Sequence, residues 1–382
     1  MVGCKIYYKE VKLTCEKMIF GGFGLSRTRQ GVVFVEGLMP GESGQCSATR
    51  SVSGIMIFTA NSILEESANR RKPFCGNFGI CGGCDWQFID YGTQLDCKKE
   101  IFESTMNRTG KIYDFPQPQV FGSPEKGYRI RAKFSVNEKT GEIGFLSKKS
   151  HDVVKINECP LLSENINAFL AGKEKFYNAR SILVIDGKDG LVSSLESANL
   201  GRIKVGDYEF EVNGDSFFQA NKFLTPTLAS WCAEQVEGSE NLFDLYGGVG
   251  LFSVFCHKKA KKITLVEADG DMVKRAQKTF EINSVSNAKA TASRAEDFLL
   301  QGMRERPDTV IVDPPRIGLK KRTVAEIAKF SPQKIVYIAC DPATQARDCD
   351  SFSQHGYKIT KTAVFDCYPN TFHIESGVVL EL

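Results

Sequence analysis

Asn241–Cys256 reads "NLFDLYGGVGLFSVFC": a short apolar run, Asp244, Tyr246, glycines at 247, 248 and 250, then a second apolar run. That order predicts a strand, a tight turn and a helix, with a glycine backbone that a ligand can approach closely. The reading decides the fold because the pattern recurs downstream. "KKITLVE" ends at Glu267, "PDTVIVDPP" ends at Asp313 and two prolines, and "QKIVYIACD" ends at Cys340 and Asp341. Apolar runs that stop at polar or glycine-rich turns, alternating with helical stretches, predict a doubly wound parallel sheet after Pro226. Ligands of such sheets bind beyond the carboxyl ends of the strands. The glycine turn, Asp313 and Cys340 are therefore expected along one edge.

Working outward, 382 residues suggest about two or three domains. Residues 9 to 68 read as short strands with Gly-Gly, Arg-Gln-Gly and Pro-Gly-Glu turns, the pattern of a small barrel. Many such barrels bind nucleic acid, and a plain packing module fits the pattern as well. A helical pattern follows from Tyr91 to about Thr109, and 128 to 216 is rich in strand patterns. The chain is 42% hydrophobic and 25% charged with a net charge of +3, which excludes a polybasic tail and confines nucleic-acid binding to local patches. No apolar run spans a bilayer and the start lacks the apolar core of a signal peptide, so a cytoplasmic protein without membrane contact is expected. Thirteen cysteines, an odd number, argue for thiols or metal ligands and against a disulfide scaffold.

The residues at the sheet edge suggest chemistry. Glu267 lies 17 residues beyond Gly250, where a carboxylate accepts both hydroxyls of a ribose. Ser253 stands where the dinucleotide fingerprint has its third glycine, so a nicotinamide cofactor is disfavoured and S-adenosylmethionine favoured. "VDPPR" makes a rigid turn because each proline fixes φ and removes a donor. A cysteine after a buried strand is commonly a small core residue; at a ligand-binding edge, Cys340 is also a soft nucleophile suited to conjugate addition. In "YPNTFHIE", His373 and Glu375 share a face if the segment is extended, and Glu375 is a candidate general base.

"CGNFGICGGCDWQ", Cys75–Gln87, sets three cysteines at C-x5-C-x2-C among glycines that permit a tight fold around one centre. Thiolates in this pattern suit zinc or an iron–sulfur cluster, and a distant Cys-Pro leans toward the cluster. The spacing leaves Cys97 and Cys159 open as the fourth ligand. Arg70, Arg71 and Lys72 flank the loop, while Arg129, Arg131 and Lys133 alternate along one strand and would share a face suited to phosphates.

The stretches "CGNFGICGGC", "YRIRAKFSV", "IGFLSKKSH", "NECP", "SFFQAN", "DLYGGVG", "VDPPR", "CDPATQARD" and "YPNTFHIE" together resemble the RNA uracil-5-methyltransferase family, in order and over nearly the whole chain. The resemblance implies a multidomain α/β protein: a TRAM-like, OB-like β-barrel over 1–68, a strand-rich central iron–sulfur domain over 69–225, and a Rossmann-like class I methyltransferase domain over 226–382. It implies a catalytic pair, Cys340 as nucleophile on uracil C6 and Glu375 as base, with cofactor contacts at Gln219, Tyr246, Gly248, Glu267 and Asp313. It also implies a [4Fe-4S] cluster on Cys75, Cys81, Cys84 and Cys159. The implied substrate is RNA, 23S rRNA ahead of tRNA, with the protein acting as a monomer. The competing readings are an inactive cluster-carrying RNA-binding protein and a pyridine-nucleotide oxidoreductase. The chain departs from the family pattern at Gly247, where cysteine is frequent, at Leu251, where asparagine is, and at Ala339 and Asp341, where Ser-Cys-Asn is favoured.

Overall fold

The computed structural model describes residues 10–148, 150–172, 174–196, 199–300 and 306–382. Six strands come first: β1 (Val11–Thr14), β2 (Lys17–Met18), β3 (Gly24–Thr28), β4 (Gly31–Glu36), β5 (Ser43–Val52) and β6 (Ile55–Glu65), in the order β1-β5-β6-β4-β3-β2. The outer strands β1 and β2 are separated only by Cys15 and Glu16, whose amides donate to Glu42 and Leu25 carbonyls. Consecutive residues thus bridge the two edges and curl the sheet around Val35, Leu38, Cys46 and Ile57, all fully buried.

Helix α1 (Tyr91–Arg108) starts where the Asp90 carboxylate accepts the Thr93 amide. After the short β7 (Gln119–Phe121) come β8 (Arg131–Val136), β9 (Ile143–Leu146), β10 (Val153–Lys155), α2 (Glu164–Ala171), β11 (Ser181–Gly187) and β12 (Gly190–Ser193). The last five strands form an antiparallel sheet in the order β10-β9-β8-β11-β12, with α2 against it. A hairpin of β13 (Leu200–Val205) and β14 (Tyr208–Asn213) leads into α3 (Thr225–Gln235).

The remaining chain alternates as expected: β15 (Leu242–Leu245), α4 (Leu251–Cys256), β16 (Ile263–Glu267), α5 (Gly270–Ile282), β17 (Ala288–Ala292), α6 (Ala295–Leu300), β18 (Thr309–Val312), α7 (Lys321–Phe330), β19 (Lys334–Ala339) and α8 (Pro342–Ser353). Two final strands, β20 (Lys358–Phe365) and β21 (Glu375–Glu381), complete it. The eight-stranded sheet runs β17-β16-β15-β18-β19-β21-β20-β7, with β21 antiparallel to both neighbours and every other pair parallel. Every residue of β15 and β18 is buried, which is why these strands read as unbroken apolar runs. Its last strand, β7, and the helix α1 precede residue 226, yet both lie on this sheet. One apolar core runs from Val35 and Cys46 through Ile101, Phe102 and Met106 to Val312 and Tyr337. Among the described residues no helix is long and apolar enough to cross a membrane.

Candidate active site

Strand register brings the sequence candidates to one edge. Leu245 pairs with Val266 and with Val312, so Tyr246, Glu267 and Asp313 follow the ends of neighbouring strands. Between β19 and β21 the ladder ends at Ala339↔Ser376, so the next residues across it are Cys340 and Glu375. A cavity of about 1470 Å³ opens over this edge and is lined by Gln219, Tyr246, Gly248, Glu267, Asp313, Cys340 and Glu375.

The glycine turn is built from its own neighbours. Tyr246, Gly248 and Gly250 have φ of +63°, +53° and +94°, so even the tyrosine adopts the left-handed conformation. Asp244, fully buried, accepts the Ser253 amide at 3.1 Å and its hydroxyl at 2.6 Å. Ser253 therefore ties the helix back to the strand end, which a third glycine could not do. Burial still pushes the Asp244 carboxyl up to about 6 against those two bonds. Glu267 lies over the turn, accepting the Gly248 amide at 3.1 Å and the Asp269 amide at 2.9 Å. At Gly247 a Cβ would meet Leu265 Cγ at 2.4 Å, so Leu265 fills the room a side chain would need.

The other half of the edge concentrates acid. Glu375 is buried and Asp313 half-buried. Burial, then Asp244, pushes Asp313 up to about 7. Burial, then Asp313, raises Glu375 well above the usual carboxylate range, and Arg316 opposes it. Burial, then Glu375 and Asp313, pushes the Cys340 thiol up to about 12, with Arg316 again opposing. Arg316, the last residue of "VDPPR" and without a role legible in that motif, is the cation of this cluster. Its Nη2 lies 3.4 Å from His373 Nδ1, and burial and that charge lower the imidazole to about 4. Asp341 is the N-cap of α8, accepting the Ala343 and Thr344 amides at 2.9 and 3.1 Å. Asparagine serves an N-cap equally well, so that departure from the family pattern keeps the local structure.

Across the cavity, β8 and the residues before it alternate as read. Ile130, Ala132 and Phe134 are buried, while Arg129 and Lys133 line the cavity. Arg131 donates to the Ser216 carbonyl and sits 5.4 Å from the ring of exposed Phe217. Arg70 and Arg71 are committed elsewhere. Arg70 makes a bidentate pair with buried Glu42 at 2.6 and 2.7 Å, and Arg71 pairs with Glu125.

Cys75, Cys81, Cys84 and Cys159, each half-buried, lie within electrostatic reach of one another. Burial is the main reason that the thiol of Cys84 is pushed up to about 12, and Cys159, Cys81 and Cys75 add to it. Among the described residues no three His, Cys, Asp or Glu side chains are drawn into metal-holding geometry. Cys97 is elsewhere, buried in the core near Cys15. Gly82 and Gly83 of the cysteine loop line the same cavity as Cys340.

The model of a family described as tRNA (uracil-5-)-methyltransferase matches residues 90–183 and 196–382. An RNA methyltransferase of Aquifex aeolicus is 30% identical, covering 98% of this chain and 99% of its own length. One from Treponema denticola is 31% identical over 96% and 98%. A 23S rRNA (uracil(1939)-C(5))-methyltransferase, RlmD, of Vibrio vulnificus is 27% identical over 98% and 96%. The solved structure of Pyrococcus abyssi tRNA (uracil-54, C5)-methyltransferase, in complex with S-adenosyl-L-homocysteine, superposes with a TM-score of 0.73 at 23% identity, over 97% of this chain and all of that one. On a family match over most of its length and two full-length relatives at 30% identity or more, the chain belongs to the tRNA (uracil-5-)-methyltransferase family.

Proposed function

We propose that the protein is an S-adenosylmethionine-dependent enzyme that methylates C5 of uracil in RNA, 23S rRNA being the preferred substrate, through a covalent intermediate on Cys340. One observation carries this reading: the strand register that sets Cys340 beside Glu375 at the cavity edge, next to Asp313. Bound S-adenosylmethionine supplies an electrophilic methyl group, and Gln219, Tyr246, Gly248, Glu267 and Asp313 would hold it. C5 of uracil is too weak a nucleophile alone, so Cys340 adds to C6 as the thiolate and moves the electron pair onto C5. Once C5 carries the methyl group, Glu375 takes its proton, the C5–C6 double bond re-forms and Cys340 leaves as thiolate. The uridine must leave its stack to reach the pocket. Arg129 and Lys133, which line the cavity, would take phosphates.

The preference for 23S rRNA rests on the Vibrio relative; the Pyrococcus neighbour, a tRNA enzyme, favours tRNA as the second reading. We assign residues 1–68, of which 1–9 lie outside the described residues, to a TRAM-like, OB-like RNA-binding barrel, 69–225 to a central cluster domain that also lends β7 and α1 to the C-terminal sheet, and 226–382 to the class I methyltransferase domain. Four soft thiols, three from one glycine-rich loop, are a donor set that fits a [4Fe-4S] cluster. Cys75, Cys81, Cys84 and Cys159 would hold it, and methyl transfer needs no electron from it.

The test separates the two catalytic roles. Cys340→Ala is expected to bind RNA and transfer no methyl group. Glu375→Gln is expected to accumulate a denaturation-resistant RNA adduct, as is the wild type on 5-fluorouridine RNA, which has no C5 proton to lose. Methylation by the wild type without an adduct in either case overturns the covalent mechanism.

A further inference from the structure

Glu375 is the first residue of β21, and the nine residues before it, Asp366–Ile374, form no regular element that would fix its place. They are held from outside. Lys98 donates to Asp366 at 2.5 Å and to the Tyr368 carbonyl at 3.2 Å, and the Tyr128 hydroxyl donates to the Pro369 carbonyl at 3.3 Å. Phe372 packs edge-on to Phe20, in the turn between β2 and β3, centroids 5.3 Å apart.

Asn370 is the junction. It is fully buried with φ +68°, a conformation that asparagine tolerates better than most residues. Its amide donates to Gln94 Oε1 at 2.8 Å, and its carbonyl accepts the Asp85 and Trp86 amides, both at 3.0 Å. Its Oδ1 accepts from Arg71 at 2.8 Å and from Gln94 at 3.3 Å, and its Nδ2 donates to the Glu125 carbonyl at 3.5 Å. Asp85 and Trp86 directly follow Cys84, the last thiol of the cysteine loop. A buried polar residue satisfied at every group has one arrangement, and breaking it frees the segment it holds.

We propose that Asn370 is a positioning residue whose side chain latches the segment carrying Glu375 onto Arg71 and Gln94, on either side of the cysteine loop, so that the order of that loop and its flanks governs proton removal and release of Cys340 rather than its addition. This rests on the reading of Glu375 as the base. Small displacements of a reacting group cost large factors in rate, so the latch acts on the step that Glu375 performs.

Asn370→Gly keeps the left-handed backbone and strips the side-chain bonds; Asn370→Asp keeps the acceptor for Arg71. Full-length protein, metal-loaded, is assayed on unmodified 23S rRNA and tRNA transcripts. Expected for the glycine variant is at least a fivefold larger fraction of RNA trapped as adduct, with first-turnover methyl transfer changed less than twofold, and the Asp variant closer to wild type. Simple loss of folded protein lowers both together, and that outcome, or no change in either, overturns the latch. Amide hydrogen exchange gives a second readout independent of activity. Residues 371–375 are expected to exchange faster both in Asn370→Gly and in wild type stripped of its metal, with the turn at 246–250 unchanged; equal exchange also overturns it. If the wild type forms no adduct on 5-fluorouridine RNA, the assignment of Glu375 fails, while the exchange comparison still decides the latch.

Discussion

Two turns feed the cavity, and they are held in opposite ways. The turn at 246–250 is fixed by its neighbours in sequence: Asp244 by Ser253, and Gly248 by Glu267. The segment Asp366–Ile374 is fixed by residues remote in sequence, Arg71 lying 299 positions from Asn370 and Lys98 lying 268 from Asp366. A locally built turn forms with its strand and helix, whereas the remote one depends on the whole chain being assembled. A ligand site on the first and a proton-transfer group on the second would thus be separable by mutation.

The largest effect is expected where the remote clamp is a buried ion pair. Lys98 and Asp366 are both fully buried, and burial pushes the lysine down and the carboxyl up against their mutual attraction. Lys98→Met leaves Asp366 buried without its cation, which costs about 3–5 kcal/mol. Denaturant unfolding is the measure, and pairing Lys98→Met with Asp366→Leu is expected to recover most of the loss. A single-variant cost near zero would mean that the segment is not clamped there.

Within the local turn, Ser253→Ala removes one donor from a buried carboxylate, for a cost of about 1–3 kcal/mol. The pH dependence has a definite sign. Asp244 titrates at about 6 in the native state against an ordinary 3.8, so stability falls as pH rises through that window. Ser253 favours the ionised carboxylate; without its hydroxyl the window reaches higher, and the penalty is expected to be greater at pH 8 than at pH 5. Thermal melts of both proteins across that range check it, and a penalty independent of pH would show that Ser253 acts other than through Asp244.

The same contrast explains what was legible from sequence. Strand ends and glycine turns are local patterns, so the parallel sheet and the edge carrying Glu267, Asp313 and Cys340 could be read from apolar periodicity alone. Cys340 against Glu375 came from resemblance, because a register between strands that are distant in the chain leaves no local mark. Arg70 and Arg71 read only as basic residues flanking the cysteine loop, because nothing near them in sequence shows that Glu42 and Glu125 take their charge. Placing β7 and α1 on the C-terminal sheet required long-range pairing, and so did the role of Asn370, whose partners Arg71, Gln94 and Glu125 leave no mark in the sequence around it.

The smallest effect is expected at Asp341, where the comparison is sharpest because the residue adjoins Cys340 yet is held entirely locally. Its carboxylate caps α8 through Ala343 and Thr344, and Pro342 takes the first helical position, where a missing amide costs nothing. Asparagine caps as well as aspartate, so Asp341→Asn is expected to change stability by less than about 0.5 kcal/mol, whereas Asp341→Ala loses about 1 kcal/mol. Equilibrium unfolding distinguishes the two. Were Asp341→Asn as costly as Asp341→Ala, the residue would be acting through its charge and not as a cap, and the edge beside Cys340 would depend on more than its own neighbours.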